Sequence, residues 1–284
     1  MKYVEYNDIE PDWQTTLKIS KPSKSQLGYY KLARHYKFAL TSAFSSQPDG
    51  VIIVEDDLQV SPDFFNYMIS GYEIYKQNPE KVFCVSAWND NGLPGQVDVS
   101  RILDSYYTDF FPGLGWLLPL SVWKDWEQKW PNAYWDDWVR EPEQRKERIC
   151  IHPEVPRSHT FGKIGVSNGQ FYEKHLKKMV LNDEYFTLDN WRESMQHLVD
   201  VENYRREKFL EISKLENWDT SKADLCFREA GEFKAVYKSE KQFAAMAEVF
   251  GIMKDFKAGI PRMGFDGNVE FVFRRCRLFL TAAK

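Results

Sequence analysis

The stretch Val51-Ile52-Ile53-Val54-Glu55-Asp56-Asp57 decides how this chain reads. Four β-branched apolar residues in succession predict a strand, and an unbroken rather than alternating run predicts one buried on both faces. Asp49-Gly50 ahead of it is a turn signal. Downstream, Ser61 with Pro62 predicts a capped helix to about Gln77, and Val82 to Ser86 a second short strand. Upstream, Leu32, Tyr36, Ala39 and Ala43, with Ala33, Leu40 and Phe44 alongside, recur at helical spacing between Ser25 and Phe44. Strand, helix, strand is the unit of a parallel α/β sheet, in which ligands bind beyond the carboxyl ends of the strands. Glu55, Asp56 and Asp57 stand at that address.

Further along, Phe110 to Trp116, with Pro112, Gly113 and Gly115, reads as a shaped loop, and Phe161 to Gly169 as a Gly-punctuated one. Ile149 to Val155 reads as another strand. Asp200 to Trp218 is a charged surface helix, and Ser239-x-x-Gln242 a capping box opening a helix to about Phe250. Val269, Phe271 and Phe273, then Leu278 and Leu280, alternate about Arg274-Arg275 and predict a terminal hairpin. The expected organisation is an α/β domain over residues 1–199 and a smaller α+β region over residues 200–284.

Composition narrows the class. With 284 residues, 43% hydrophobic and 28% charged, the chain reads as a soluble globular protein. A net charge of −4 argues against a nucleic-acid binder, which draws affinity from a basic face. No apolar stretch approaches the ~20 residues that span a bilayer, and Met1-Lys2-Tyr3 opens no signal peptide. Aromatic content of 16% suits either a heavily aromatic core or a groove that stacks sugar rings. The four cysteines, Cys84, Cys150, Cys226 and Cys276, form no C-x-x-C pair, and their spacing alone separates neither thiols from disulfides nor one compartment from another.

Two clusters can carry chemistry. Three adjacent carboxylates at Glu55, Asp56 and Asp57 repel one another, and a hard divalent cation bridging to phosphate oxygens would compensate them. A solvated acidic turn ahead of the next helix is the competing reading. Asp136-Asp137, flanked by Trp135 and Trp138, pairs carboxylates with aromatic walls, an environment that raises a carboxyl toward a working general base. The plainer reading, favoured by the residues alone, is a helix N-terminus capped by Asp with the tryptophans buried. His35, within the first helix, reads by itself as filler. Ser167 lies in Gly165-Val166-Ser167-Asn168-Gly169, where glycines permit close approach to a ligand.

Taken in order, these segments resemble the catalytic region of the N-acetylglucosaminyltransferase I family. The likeness rests on Gly28-Tyr29-Tyr30-Lys31-Leu32-Ala33-Arg34-His35-Tyr36, on Val54-Glu55-Asp56-Asp57-Leu58 through Pro62-Asp63-Phe64-Phe65, and on Cys84-Val85-Ser86-Ala87-Trp88-Asn89-Asp90-Asn91-Gly92. It continues through Asp109 to Trp116, Trp135-Asp136-Asp137-Trp138, Phe161-Gly162 and Gly165-Val166-Ser167, fades after Phe186, and returns at Gly259-Ile260-Pro261-Arg262.

The resemblance implies a GT-A-like, Rossmann-type mixed sheet and an inverting transfer of GlcNAc from UDP-GlcNAc. The implied acceptor is the 2-hydroxyl of an α-1,3-linked mannose on a high-mannose N-glycan, with Mn²⁺ as cofactor. It implies Asp57 as metal ligand, Asp56 and Glu55 as donor contacts, His35 and Ser167 as nucleotide-sugar-binding residues, and Asp136 as catalytic base; Trp135, whose ring could hold a sugar face beside that base, is also expected to bind substrate. It also implies a Cys84–Cys150 disulfide and a Golgi-lumenal enzyme that carries a membrane anchor in the full-length family. The family's anchor and opening strand–helix–strand have no counterpart ahead of a strand expected at Tyr3-Val4-Glu5-Tyr6, so an N-terminally truncated sheet of impaired activity is expected. Competing expectations are transfer to O-mannosyl glycans, a carbohydrate-binding relative without catalysis, and a metal-dependent phosphohydrolase.

Overall fold

A computed structural model describes all residues except 1–3, 167–168, 170–171, 220–221 and 284. Helix α1 (Lys24–Phe44) buries Ala33, Tyr36, Leu40 and Phe44. That stripe is rotated from the expected one, and Ala39 faces solvent. After α1 come β1 (Gly50–Ile53), β2 (Leu58–Val60), α2 (Phe64–Gln77), β3 (Val82–Ser86), β4 (Ser105–Thr108) and β5 (Trp116–Pro119). Then follow α3 (Leu120–Trp126), α4 (Trp135–Arg140), α5 (Pro142–Arg145), β6 (Ile149–Pro153), β7 (Ser158–Thr160) and α6 (Leu188–Ser194).

The central sheet is mixed, in the order β1-β5-β3-β6-β4. β3 and β6 are parallel, while β5 is antiparallel to both β1 and β3. β1 and β3 therefore run the same way with β5 between them, and their carboxyl ends share one edge. Ile53 and Ser86 both lie across from Trp116. The expected burial of Val51 to Val54 is corrected. β1 is only half-buried because β5 is its single partner among the described residues, and Val54, beyond its end, is exposed. The run is nevertheless apolar on both faces for a reason. Ile52 packs into one core with α2 and α6, while Val51 and Ile53 pack into the other with α1 and α3.

Helix α2 starts two residues later than its sequence suggests, because Leu58–Val60 is occupied in pairing with Ser158–Thr160. Ser61 does not cap the helix backbone. Its hydroxyl donates to Asp63 Oδ1 at 2.7 Å, within a fully buried cluster where Asp63 also accepts from Arg157 Nε at 3.2 Å, Trp191 Nε1 at 3.0 Å and Asn182 Nδ2 at 2.9 Å. This cluster fixes the start of α2 against β7 and α6. The Cys84–Cys150 bridge joins β3 to β6 at facing positions.

The C-terminal region holds α7 (Val201–Lys214), β8 (Glu216–Asn217), α8 (Lys222–Arg228), β9 (Gly231–Tyr237), α9 (Glu240–Phe250), β10 (Phe256–Lys257), β11 (Ile260–Pro261), β12 (Asn268–Phe273) and β13 (Cys276–Ala282). Its sheet runs β12-β13-β9-β8, with the expected hairpin at β12–β13. Its core of Phe233, Tyr237, Phe243, Phe250, Phe271 and Leu278 is separate from the other two. Val201 and Tyr204 of α7 instead join the core of the central sheet. Ser239 caps α9 by accepting from Gln242 N–H at 3.2 Å; the Gln242 side chain returns to Lys238 N–H rather than to Ser239. A second disulfide, Cys226–Cys276, ties α8 to β13, a pairing the spacing did not reveal. The strand expected at the start is also corrected: Val4 to Tyr6 are not in a strand, and Tyr6 lies against the rings of His35 and Phe38 on α1.

Candidate active site

The chain leaves β1 at Val54 and turns, so its three carboxylates meet different surroundings. Glu55 folds back beneath α1, where Tyr36 Oη donates to Glu55 Oε1 at 2.5 Å. Burial pushes the Glu55 carboxyl above its usual range; the Tyr36 bond opposes this, and the charges of Asp57, Asp136 and Asp56 reinforce it. Burial and the Glu55 charge likewise raise the Tyr36 phenol. Asp56 is exposed. Asp57 is half-buried; its carbonyl accepts from Phe161 N–H at 3.0 Å and its Oδ2 from Thr160 Oγ1 at 3.3 Å. Gly162 closes against this carboxylate, and a Cβ there would lie 1.8 Å from Asp57 Oδ2. Any side chain at Gly162 would displace Asp57.

Asp136 reaches the same place from α4. Tyr134 takes a left-handed conformation, φ 52° and ψ 47°, and turns the chain into the helix. Trp135 enters the core, stacked on Tyr36 at 4.2 Å between ring centroids, with Trp116 and Trp130 near-parallel at 6.0 and 5.8 Å. With 6% of its surface exposed, the Trp135 indole is a packing residue of this core. Trp138 is half-buried, edge-on to Trp126 and Trp130. Asp136 itself does not cap the helix. Its Oδ2 accepts from Arg140 Nη1 at 2.9 Å, and the buried Arg140 is anchored by donating from Nε to the Phe111 carbonyl at 3.1 Å.

Glu55, Asp57 and Asp136 are thus drawn to one sheet edge, close enough for the charges of Asp57 and Asp136 to act on Glu55. His35 is on α1 but exposed, edge-on to Tyr6 at 5.1 Å, one residue round the helix from Tyr36. Ser167 lies outside the described residues. Sequence reasoning missed Tyr36, Arg140 and Gly162. The Asp136/Arg140 spacing of four within one helix was an available signal; Tyr36 and Gly162 lay within the stretches that carry the family resemblance, but no role came with them.

Among the described residues no three His, Cys, Asp or Glu side chains are grouped as a metal site. The donors at this edge are nonetheless hard oxygens, which suit a cation that takes few protein carboxylates and completes its shell with phosphate and water. The side-chain-free cradle at Gly162 keeps one Asp57 oxygen clear of carbon, so the residues fit such an ion.

The sequence profile of the GNT-I family matches residues 2–284. Over 281 residues the chain is 35% identical to an Arabidopsis thaliana protein named alpha-1,3-mannosyl-glycoprotein 2-beta-N-acetylglucosaminyltransferase. The match covers 98% of this chain and 60% of that relative's length.

Proposed function

The chain belongs to the GNT-I family, and from that premise we propose that its acidic edge transfers GlcNAc from UDP-GlcNAc to the 2-hydroxyl of an α-1,3-linked mannose on an N-glycan. The observation that carries the reading is the convergence of Asp136, held by Arg140, with the Glu55–Asp57 strand end. Asp136 accepts the proton of the mannose 2-hydroxyl as that oxygen attacks the anomeric carbon from the face opposite UDP. The C1–O bond to UDP breaks, a β-1,2 linkage forms, and the configuration inverts. One base suffices because no covalent intermediate is made.

Glu55, buried on one side and tied to Tyr36, is assigned to the transferred sugar. Asp57 would hold Mn²⁺, which when bound supplies positive charge against the departing diphosphate. Asp56 and, from α1 and the Gly-rich loop, His35 and Ser167 are assigned to the donor. Two disulfides support an oxidising, Golgi-lumenal setting. Among the described residues no helix is long and apolar enough to cross a membrane.

The test is donor transfer to an N-glycan and, in parallel, to an O-mannosyl glycan, with UDP titrated calorimetrically in Mn²⁺. Asp136→Asn keeps shape and removes basicity, so transfer should fall about 10²- to 10⁴-fold with UDP affinity unchanged. Asp57→Ala should abolish the Mn²⁺ dependence of UDP binding. Near-normal turnover in the first variant, or unchanged metal-assisted binding in the second, would return these residues to structural roles.

A further inference from the structure

Asp137 adjoins the proposed base and takes no part in the transfer as described. It does, however, share a single guanidinium nitrogen with it. Arg140 Nη1 stands 2.9 Å from Asp136 Oδ2 and 3.0 Å from Asp137 Oδ1. One cation divided between two carboxylates cannot fully compensate both. The second cation comes from 120 residues further along the chain: Lys257 Nζ lies 3.1 Å from Asp137 Oδ1 and 3.2 Å from Oδ2.

Lys257 is not on a loose arm. It sits on β10, paired with β11 across a turn in which Ala258 and Gly259 both take positive φ, 49° and 77°. Phe256 packs edge-on to Phe243 at 5.0 Å and so anchors the hairpin in the C-terminal core. Beyond β11, Arg262 Nη1 donates to the buried Asp90 at 3.0 Å, and the Gly264 carbonyl accepts from Asp109 N–H at 2.7 Å. The hairpin is therefore fixed on both sides of Lys257, and its reach onto α4 is part of the fold. Burial tends to raise the Asp137 carboxyl, but Lys257 and Arg140 together outweigh it and hold it low.

We propose that Lys257 is a positioning residue for the transfer: by neutralising Asp137 it leaves Arg140 to hold the Asp136 carboxylate in place. The inference rests on Asp136 being the base. Around Asp136 stand Glu55 at the end of β1, Tyr36 on α1, Asp137 and Arg140 on its own helix, and Arg262 beyond β11. Without Lys257, Asp137 competes for the shared nitrogen while Glu55 repels Asp136, and the base drifts from the acceptor hydroxyl. A loss of geometry felt only in the transition state lowers kcat and leaves KM alone.

The experiment compares Lys257→Met, Lys257→Arg, Asp137→Asn and the Lys257→Met/Asp137→Asn pair. Each is assayed for kcat and acceptor KM with UDP-GlcNAc, Mn²⁺ and a mannose-terminated N-glycan, and for its unfolding midpoint; a crystal structure of Lys257→Met completes the set. Lys257→Met should lose about 10- to 100-fold in kcat, the scale of a small misplacement of a reacting group. Its acceptor KM and midpoint should be unchanged, and Lys257→Arg should recover most of the rate. In the Asp137→Asn background, Lys257→Met should cost nothing further. In the crystal, Arg140 Nη1 should move beyond hydrogen-bond reach of Asp136 Oδ2, past about 3.5 Å. The same loss in both backgrounds, or an unchanged Arg140–Asp136 contact, overturns the proposal. If no form transfers GlcNAc, the functional reading fails separately, and the Arg140 geometry in Lys257→Met alone decides whether Lys257 positions Asp136.

Discussion

Replacing His152 by Phe should remove one pH-dependent contribution to stability, the one that acts between about pH 6.5 and about pH 4. His152 lies in β6, its Nδ1–H donating to the Pro153 carbonyl at 3.2 Å and its ring tilted against Tyr106 at 5.7 Å. Burial outweighs that bond and the charge of Asp90, and pulls the imidazole from its ordinary 6.5 to about 4. The folded value is depressed, so the ring is neutral in the native state. Its contribution is fully present above the unfolded value near 6.5 and is lost as pH falls toward 4, because the unfolded chain takes up a proton that the native chain refuses.

One pH unit corresponds to about 1.4 kcal/mol, so the gap amounts to about 3 kcal/mol by about pH 4. Phe fills the ring's space but gives up a hydrogen bond worth about 1 kcal/mol. His152→Phe should therefore be about 1 kcal/mol less stable near pH 7 and about 1–2 kcal/mol more stable near pH 4.5, with the two stability curves crossing in between. Equilibrium urea unfolding of both chains, disulfides intact, at a series of pH values measures this. A stability difference that stays constant across that range would refute the reasoning.

Gly162→Ala should weaken Mn²⁺-assisted UDP binding at least as much as it lowers turnover, because its Cβ falls 1.8 Å from Asp57 Oδ2 and must push that carboxylate aside; calorimetry against the parent chain reads it. Cys226→Ser/Cys276→Ser should destabilise the chain by about 4 kcal/mol, the loop-entropy value for the 50-residue separation, with urea unfolding as the measure and non-reducing peptide mapping of the parent expected to show both bridges. Arg157→Met should cost about 3–5 kcal/mol, since it strands the fully buried Asp63 without its cation; Asp63→Asn on top of it should recover part of that loss in the same assay.

Features set by neighbours in the chain were legible in the residues alone. The β-branched run before Glu55, the helix between Ser25 and Phe44, the Ser239 cap and the alternation about Arg274-Arg275 each follow from local propensity or periodicity, and each formed as an element. The family resemblance alone assigned Asp57 and Asp136 to one site. What the sequence left open are choices among distant partners. Strand β5 inserts between β1 and β3 because side-by-side pairing is decided by the whole sheet, so among the described residues the run pairs with β5 alone and not with the strand that follows α2. His35 and Tyr36 are adjacent, yet residues about 100° apart on a helix face different surroundings; only the packed face shows that Tyr36 meets Glu55 while His35 meets solvent. Trp135 and Trp138 look alike in sequence, and the core takes the first more fully than the second. Asp136 and Arg140 share a helical spacing that residues alone disclose, whereas Lys257 joins them from 120 residues away. No local pattern encodes that contact, because it exists only once the C-terminal core has fixed the hairpin against α4.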